Sequence, residues 1–147
     1  MKHGAHWMIL EVPKGYTICG VPVRHDPDSK LIADARGIWP LKWIAVGNGW
    51  FKLPFAEQRA VLLHEAGHAL KLHLEVRLLF LPLFWTGWVQ QLACRQELVA
   101  DRFAVENGGG HDLLRFLTRC PGNARGPFHP SAHERQQHLS QLIEANR

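Results

Sequence analysis

What this chain lacks narrows its function first. Its longest uncharged apolar stretch, Leu78 to Val89, covers 12 residues, whereas a helix needs about 20 to cross a bilayer. No transmembrane span is expected. The stretch contains two Trp and two Phe, a composition that suits core packing first, with peripheral contact at a membrane surface or the wall of a substrate pocket as its other uses. Cysteine is also sparse: Cys19, Cys94 and Cys120 are an odd number with no Cys-x-x-Cys pair, which fits a reducing compartment better than a disulfide framework. The 17 Lys and Arg are never adjacent and form no aromatic-interleaved strip, so the net charge of +4 does not indicate nucleic acid as a partner. The apolar run from Trp7 to Leu10 is too short for the core of a signal peptide. A cytoplasmic location is expected, with membrane-peripheral contact left open. Repeats, low-complexity segments and long linkers are missing as well.

What remains is 147 residues, 46% hydrophobic and 20% charged, the make-up of one domain over 1–147. "WMILEV", "YTICGVPVR" and "LKWIAVG" read as strands bounded by Pro, Gly and Asp, with "RHDPDSK" as a turn. From Pro54 the pattern becomes helical and should continue to about Leu74, with Glu57 near the positive end of the helix dipole. A second helix is expected over Val89 to Glu106, stopped by "NGGG". Shorter helices should cover Asp112 to Thr118 and Ser131 to Ala145. Strands first and helices after indicate an α+β fold.

The chemistry is concentrated in "AVLLHEAGHALKLH", residues 60–73. On a helix, His64 and His68 project about 40° apart, one turn above each other, so both imidazoles can reach one ion. Glu65 lies at the neighbouring edge of that face, where a carboxylate can act as a base toward water and need not bind the metal. Gly67 in a helix interior costs about 1 kcal/mol relative to Ala, which implies that another element packs close against it.

Two imidazoles hold a metal poorly, and a catalytic zinc usually takes three protein ligands. The metzincin continuation would need Gly at 71 and His at 74, where this chain has Lys71 and Leu74. His73, five residues past His68, lies about 140° around a regular helix, which makes it a supporting or packing residue. The candidate third ligand is Glu97 on a separate helix, with Asp101 one turn on, where it can fix the tautomer of a ligand histidine. A Glu-x-x-x-Asp pair by itself is more often surface charge.

"HEAGH" at 64–68, His73, "ELVADRFA" at 97–104 and "FHPSAHERQQHL" at 128–139 together resemble the gluzincin metallopeptidases of the HtpX and type-1 CAAX prenyl protease family. The likeness covers about two-thirds of the chain and is nearest to the short, minimal gluzincins. It implies a zincin-like fold: a small antiparallel or mixed N-terminal sheet whose edge strand lies over an active-site helix, followed by a helical C-terminal part. It implies one Zn²⁺ per chain held by His64, His68 and Glu97, with Glu65 as the general base and Asp101 supporting the ligands. Arg135 would partner Asp101 or brace the last helix. His129 would stabilise the oxyanion or cap the zinc at rest, and the tail after Arg135 would lie in the cleft as an inhibitor. The family often carries Asn-Ala-Phe before its edge strand, where this chain has "ADARGIW", so no substrate role passes to Asp34.

The expected function is a zinc endopeptidase acting on extended protein or peptide substrates. These would pair with the strand Lys42, Trp43, Ile44, Ala45 and Val46 through main-chain hydrogen bonds. The alternatives are a regulatory metallopeptidase of the phage or mobile-element anti-repressor kind, which typically follows its Glu with Ala-Asn, and a non-catalytic zinc-binding adaptor. A purely structural site would usually be closed by four ligands, often cysteines, and no Cys here is suitably spaced.

Overall fold

The computed structural model describes residues 9–120 and 128–146. Four strands, β1 (Thr17–Ile18), β2 (Val21–His25), β3 (Ala33–Ile38) and β4 (Leu41–Val46), are followed by five helices. These are α1 (Phe55–Leu70), α2 (His73–Leu79), α3 (Gly87–Glu106), α4 (Gly110–Arg119) and α5 (Ala132–Ala145). The fold is α+β with a mixed sheet. Its strand order is β1-β2-β4-β3, with β2 and β4 parallel and the other pairs antiparallel.

α1 is the centre of the molecule. Its run of Ala, Val, Leu and Gly is apolar on nearly all sides, the pattern of a helix with neighbours all round. Val61, Leu62 and Ala66 pack against Val23, Ile44, Val46 and Trp50 from the sheet side. Ala60 and Leu63 pack against Ala104, Leu113, Leu117 and Leu139 from the other helices. Gly67 marks the closest approach. A Cβ there would meet Ala100 Cα at 3.0 Å and Phe103 Cβ at 3.1 Å, so α3 is the element that the helix-interior glycine admits.

Four expectations change. "YTICGVPVR" is not one strand: Cys19 (φ +50°) and Gly20 (φ +78°) turn the chain, and β1 pairs antiparallel with β2. The segment expected as "WMILEV" begins outside the described residues, and Ile9 to Val12 form no strand. The Gln58 amide instead holds Ile9 at both its N–H (2.8 Å) and its carbonyl (3.0 Å), doing the work of a ladder. The helix expected from Pro54 to about Leu74 stops at Leu70, because Leu72 adopts φ +57°, ψ 32° and α2 starts afresh at His73. The fourth change is a strand, β3, formed by "ADARGI", whose Ala, Asp, Arg and Gly have little β preference. Its pairing with β4 from Ala33↔Val46 to Ile38↔Leu41 makes it a strand.

β3 therefore occupies the sheet edge, and β4 is interior. Ile44, Ala45 and Val46 are buried and paired with both β2 and β3, while Leu41, Lys42 and Trp43 pair with β3. The assignment of Lys42, Trp43, Ile44, Ala45 and Val46 as the sheet's edge strand is therefore corrected: β4 lies between β2 and β3, and Ile44, Ala45 and Val46 have no free side. Two β-branched residues and a Trp made β4 the better strand, and the better strand took the middle of the sheet.

Candidate metal centre

His64 and His68 project from one face of α1 toward α3, which presents Glu97 at the level where Gly67 lets the two helices meet. The ligand-type atoms of the three residues lie within 4.8 Å of one another, with each Glu97 oxygen facing one imidazole. His64 Nε2 and His68 Nε2 are 3.1 Å apart; Glu97 Oε2 lies 3.4 Å from His64 Nε2, and Glu97 Oε1 lies 3.3 Å from His68 Nε2. A tetrahedral ion with bonds of 2.0–2.1 Å separates its ligands by about 3.3–3.4 Å. The spacings between neighbouring donors are of that order, with the Glu97 carboxylate spanning the two imidazoles. Among the described residues, this is the cluster of His, Cys, Asp and Glu able to hold a metal.

The outer nitrogens of both imidazoles are engaged, which fixes the tautomers. His64 Nδ1 is 2.9 Å from Asp101 Oδ1, so Nδ1 keeps its proton and Nε2 is the nitrogen that would face an ion once its own proton is lost. Arg135 Nη2 also approaches His64 Nδ1, at 3.3 Å, but two donors cannot bond each other. Its partner is the fully buried Asp101, which accepts from Arg135 Nε at 2.9 Å and Nη2 at 2.5 Å. On the other imidazole, His68 Nδ1 is 2.9 Å from His73 Nδ1. Burial above all, with the charges of His68 and Arg77 beside it, lowers the His73 pKa to about 3. His73 is therefore neutral and accepts the His68 proton, leaving His68 Nε2 for the ion. The break at Leu72 carries His73 off the continuous helical path and into this contact.

Charge accumulates at the centre without metal. Burial opposes ionisation of Glu97, but hydrogen bonds from His129, His64 and His68 overcome it and hold the carboxyl far below its usual range. Burial and the Arg135 charge oppose protonation of His64, yet Asp101 and Glu97 outweigh them and raise its pKa to about 9. Burial also raises Glu65, which accepts a hydrogen bond from the Ala35 N–H of β3 at 2.9 Å.

These groups line one cleft of about 290 Å³, whose walls include β3 from Ala33 to Gly37, Glu65, His68, Arg77, Glu97 and His129. Of the expected residues, Glu65, His68, His73, Glu97 and His129 line the cleft, while His64, Asp101 and Arg135 lie behind this wall, joined to it through Glu97 and to one another. His129, with its side chain 64% exposed at the rim, places Nδ1 3.5 Å from Glu97 Oε1. Arg135 pairs with Asp101, and the same bonds tie α5 to α3. The chain after Arg135 stays outside the cleft: α5 turns Leu139 and Ile143 into the core. Lys42 lines the cleft but bonds Ala69 O (2.5 Å) and Glu75 (2.6 Å), tying the sheet to the end of α1.

Sequence reasoning missed Arg77. Its Nε donates to Gln96 Oε1 at 2.6 Å, and its Nη2 approaches Glu97 Oε1 at 3.4 Å. The available signal was its place one helical turn after His73 at the border of an uncharged apolar stretch. It also missed β3, whose Asp34 and Arg36 pair with each other beside the cleft (2.6 Å). No protein-family model, curated protein or solved structure matches the chain.

Proposed function

We propose that this chain is a zinc-dependent endopeptidase of the gluzincin kind. The observation that carries the reading is the cluster of His64, His68 and Glu97, whose His68 and Glu97 line an open cleft with a second carboxylate, Glu65, beside them. Two imidazole nitrogens and one carboxylate oxygen are the donor set of a catalytic zinc site. When bound, such an ion supplies Lewis acidity, polarising a carbonyl and lowering the pKa of water.

The remaining work belongs to the chain's own groups. Glu65 takes a proton from water and delivers it to the leaving amine. Its burial favours the protonated state between those two events, and the Ala35 N–H holds one of its oxygens in place. By the alternation of an antiparallel ladder, Ala33 and Gly37 face outward like Ala35, so β3 offers its free edge to an extended peptide. His129 at the rim donates to the oxyanion.

The experiment pairs two variants with metal analysis. Glu65→Gln should keep one equivalent of zinc and lose cleavage of an unfolded protein such as casein. His129→Ala should keep zinc and lower turnover by about 10²-fold or more, the usual loss for one oxyanion donor. A Glu65→Gln protein as active as the parent would refute the reading.

A further inference from the structure

The stretch from Leu78 to Trp88 is not buried: seven of its 11 residues are large apolar side chains facing solvent, Leu79 at 74% exposure and Trp85 at 76% among them. A second apolar group, Trp39 (72%) and Leu41 (76%), stands at the turn between β3 and β4. The two groups belong to one end of the molecule. The Trp39 N–H donates to Glu75 of α2 at 2.8 Å, and Lys42 bridges Glu75 to the end of α1. The segment is folded, not frayed. Phe80 meets Trp88 edge-on at 4.8 Å between centroids, and Phe84 stacks on Phe128 at 4.5 Å. Its inner faces are packed while its outer faces are bare, and a bare apolar area of this kind marks an interaction site.

Charge decides the partner. Between Glu75 and Glu97 the chain has no acidic residue. Lys71, between the exposed Leu70 and Leu72, is itself exposed. On α3, Trp88, Arg95 and Arg102 recur every seven residues and are all exposed, which puts them on one stripe. A second copy of the chain would set cations against cations. An anionic headgroup layer complements them and accepts the indoles of Trp39, Trp85 and Trp88 at its boundary with the acyl chains. Among the described residues no helix is long and apolar enough to cross a membrane, so the contact is one of lying on the surface.

We propose that this end of the molecule docks on a bilayer carrying anionic lipids, with Leu79 and Trp85 in the acyl boundary and Lys71, Arg95 and Arg102 among the headgroups. This surface is independent of whether the metal centre hydrolyses peptides.

The test is sedimentation of the full chain with phosphatidylcholine vesicles, with and without phosphatidylglycerol, in low and high salt. Binding to the anionic vesicles, weakened by salt, is expected. Leu79→Ser with Trp85→Ser should lower it by roughly tenfold or more through lost acyl contact. Lys71→Gln and Arg95→Gln should each lower it about fivefold, and only on anionic vesicles. Thermal unfolding at the parental temperature would show that these variants fold. Two results would overturn the proposal: a chain that stays in the supernatant with both vesicle types, or a dimer by light scattering that the serine pair dissociates and vesicles do not compete for.

Discussion

At His64, burial and charge pull against each other, and the outcome sets how the metal-free protein responds to pH. Its folded pKa of about 9 lies above the unfolded value of 6.5. Its stabilisation is therefore fully present below pH 6.5 and is lost as pH rises through about 9. His73 works the other way. It stays neutral in the fold down to about pH 3, while the unfolded chain takes up a proton near 6.5, so stability falls as pH drops from 6.5 toward 3. Denaturant titrations of the metal-free chain should give a maximum near pH 6.5. His73→Gln should flatten the acid side of that curve and leave the alkaline side in place; a curve unchanged on both sides would contradict the assignment. The same residue couples metal to protons, since an ion taken up at pH 7 must displace the His64 proton from Nε2.

At the scale of elements, two features position the site, and both break local rules. Leu72 holds a left-handed conformation that costs a side-chain-bearing residue about 1–2 kcal/mol, and the break it makes is what lets His73 reach His68. Strain kept beside a candidate site suits a positional role. Leu72→Gly should relieve the strain and raise stability by about 1 kcal/mol, less what the glycine adds to unfolded-chain entropy. The β-branched Leu72→Ile should lose about 1 kcal/mol or more. Equilibrium urea unfolding of the three proteins tests the order Gly, Leu, Ile; any other order removes strain from the account. β3 is the other rule-breaker. Periodicity and composition found β4, because Trp43, Ile44 and Val46 look like a strand by themselves, whereas "ADARGI" becomes one only against its partner. Helices α3, α4 and α5 were legible to within a few residues. Their stops and starts are written locally, in Gly108 at φ +79° and in the Ser131 and Glu134 capping box.

At the scale of the whole molecule, α1 couples the sheet to the helical layer, and the metal centre lies where the two are pinned. An ion bound there by residues from α1 and α3 ties the packing together and is absent from the unfolded state. At zinc concentrations a thousandfold above the dissociation constant, linkage gives about 4 kcal/mol, or roughly 8–16 °C in melting temperature for a chain near this length. Calorimetry with zinc and with chelator should show that difference, and it should vanish in Glu97→Ala. A chelator-insensitive melting temperature would remove the ion from the fold.

The sequence by itself determined the parts of this protein that depend on spacing along one chain segment. A helix of fixed pitch places His64, Glu65 and His68 on adjoining faces, and Glu97 and Asp101 one turn apart, whatever surrounds them. Three things only the tertiary structure decided: that the two Glu97 oxygens each meet one of the paired imidazoles, that β3 and not β4 takes the sheet edge, and that the stretch from Leu78 to Trp88 faces outward. Each depends on which surfaces of different segments meet, and no periodicity within a segment encodes the identity of its neighbour.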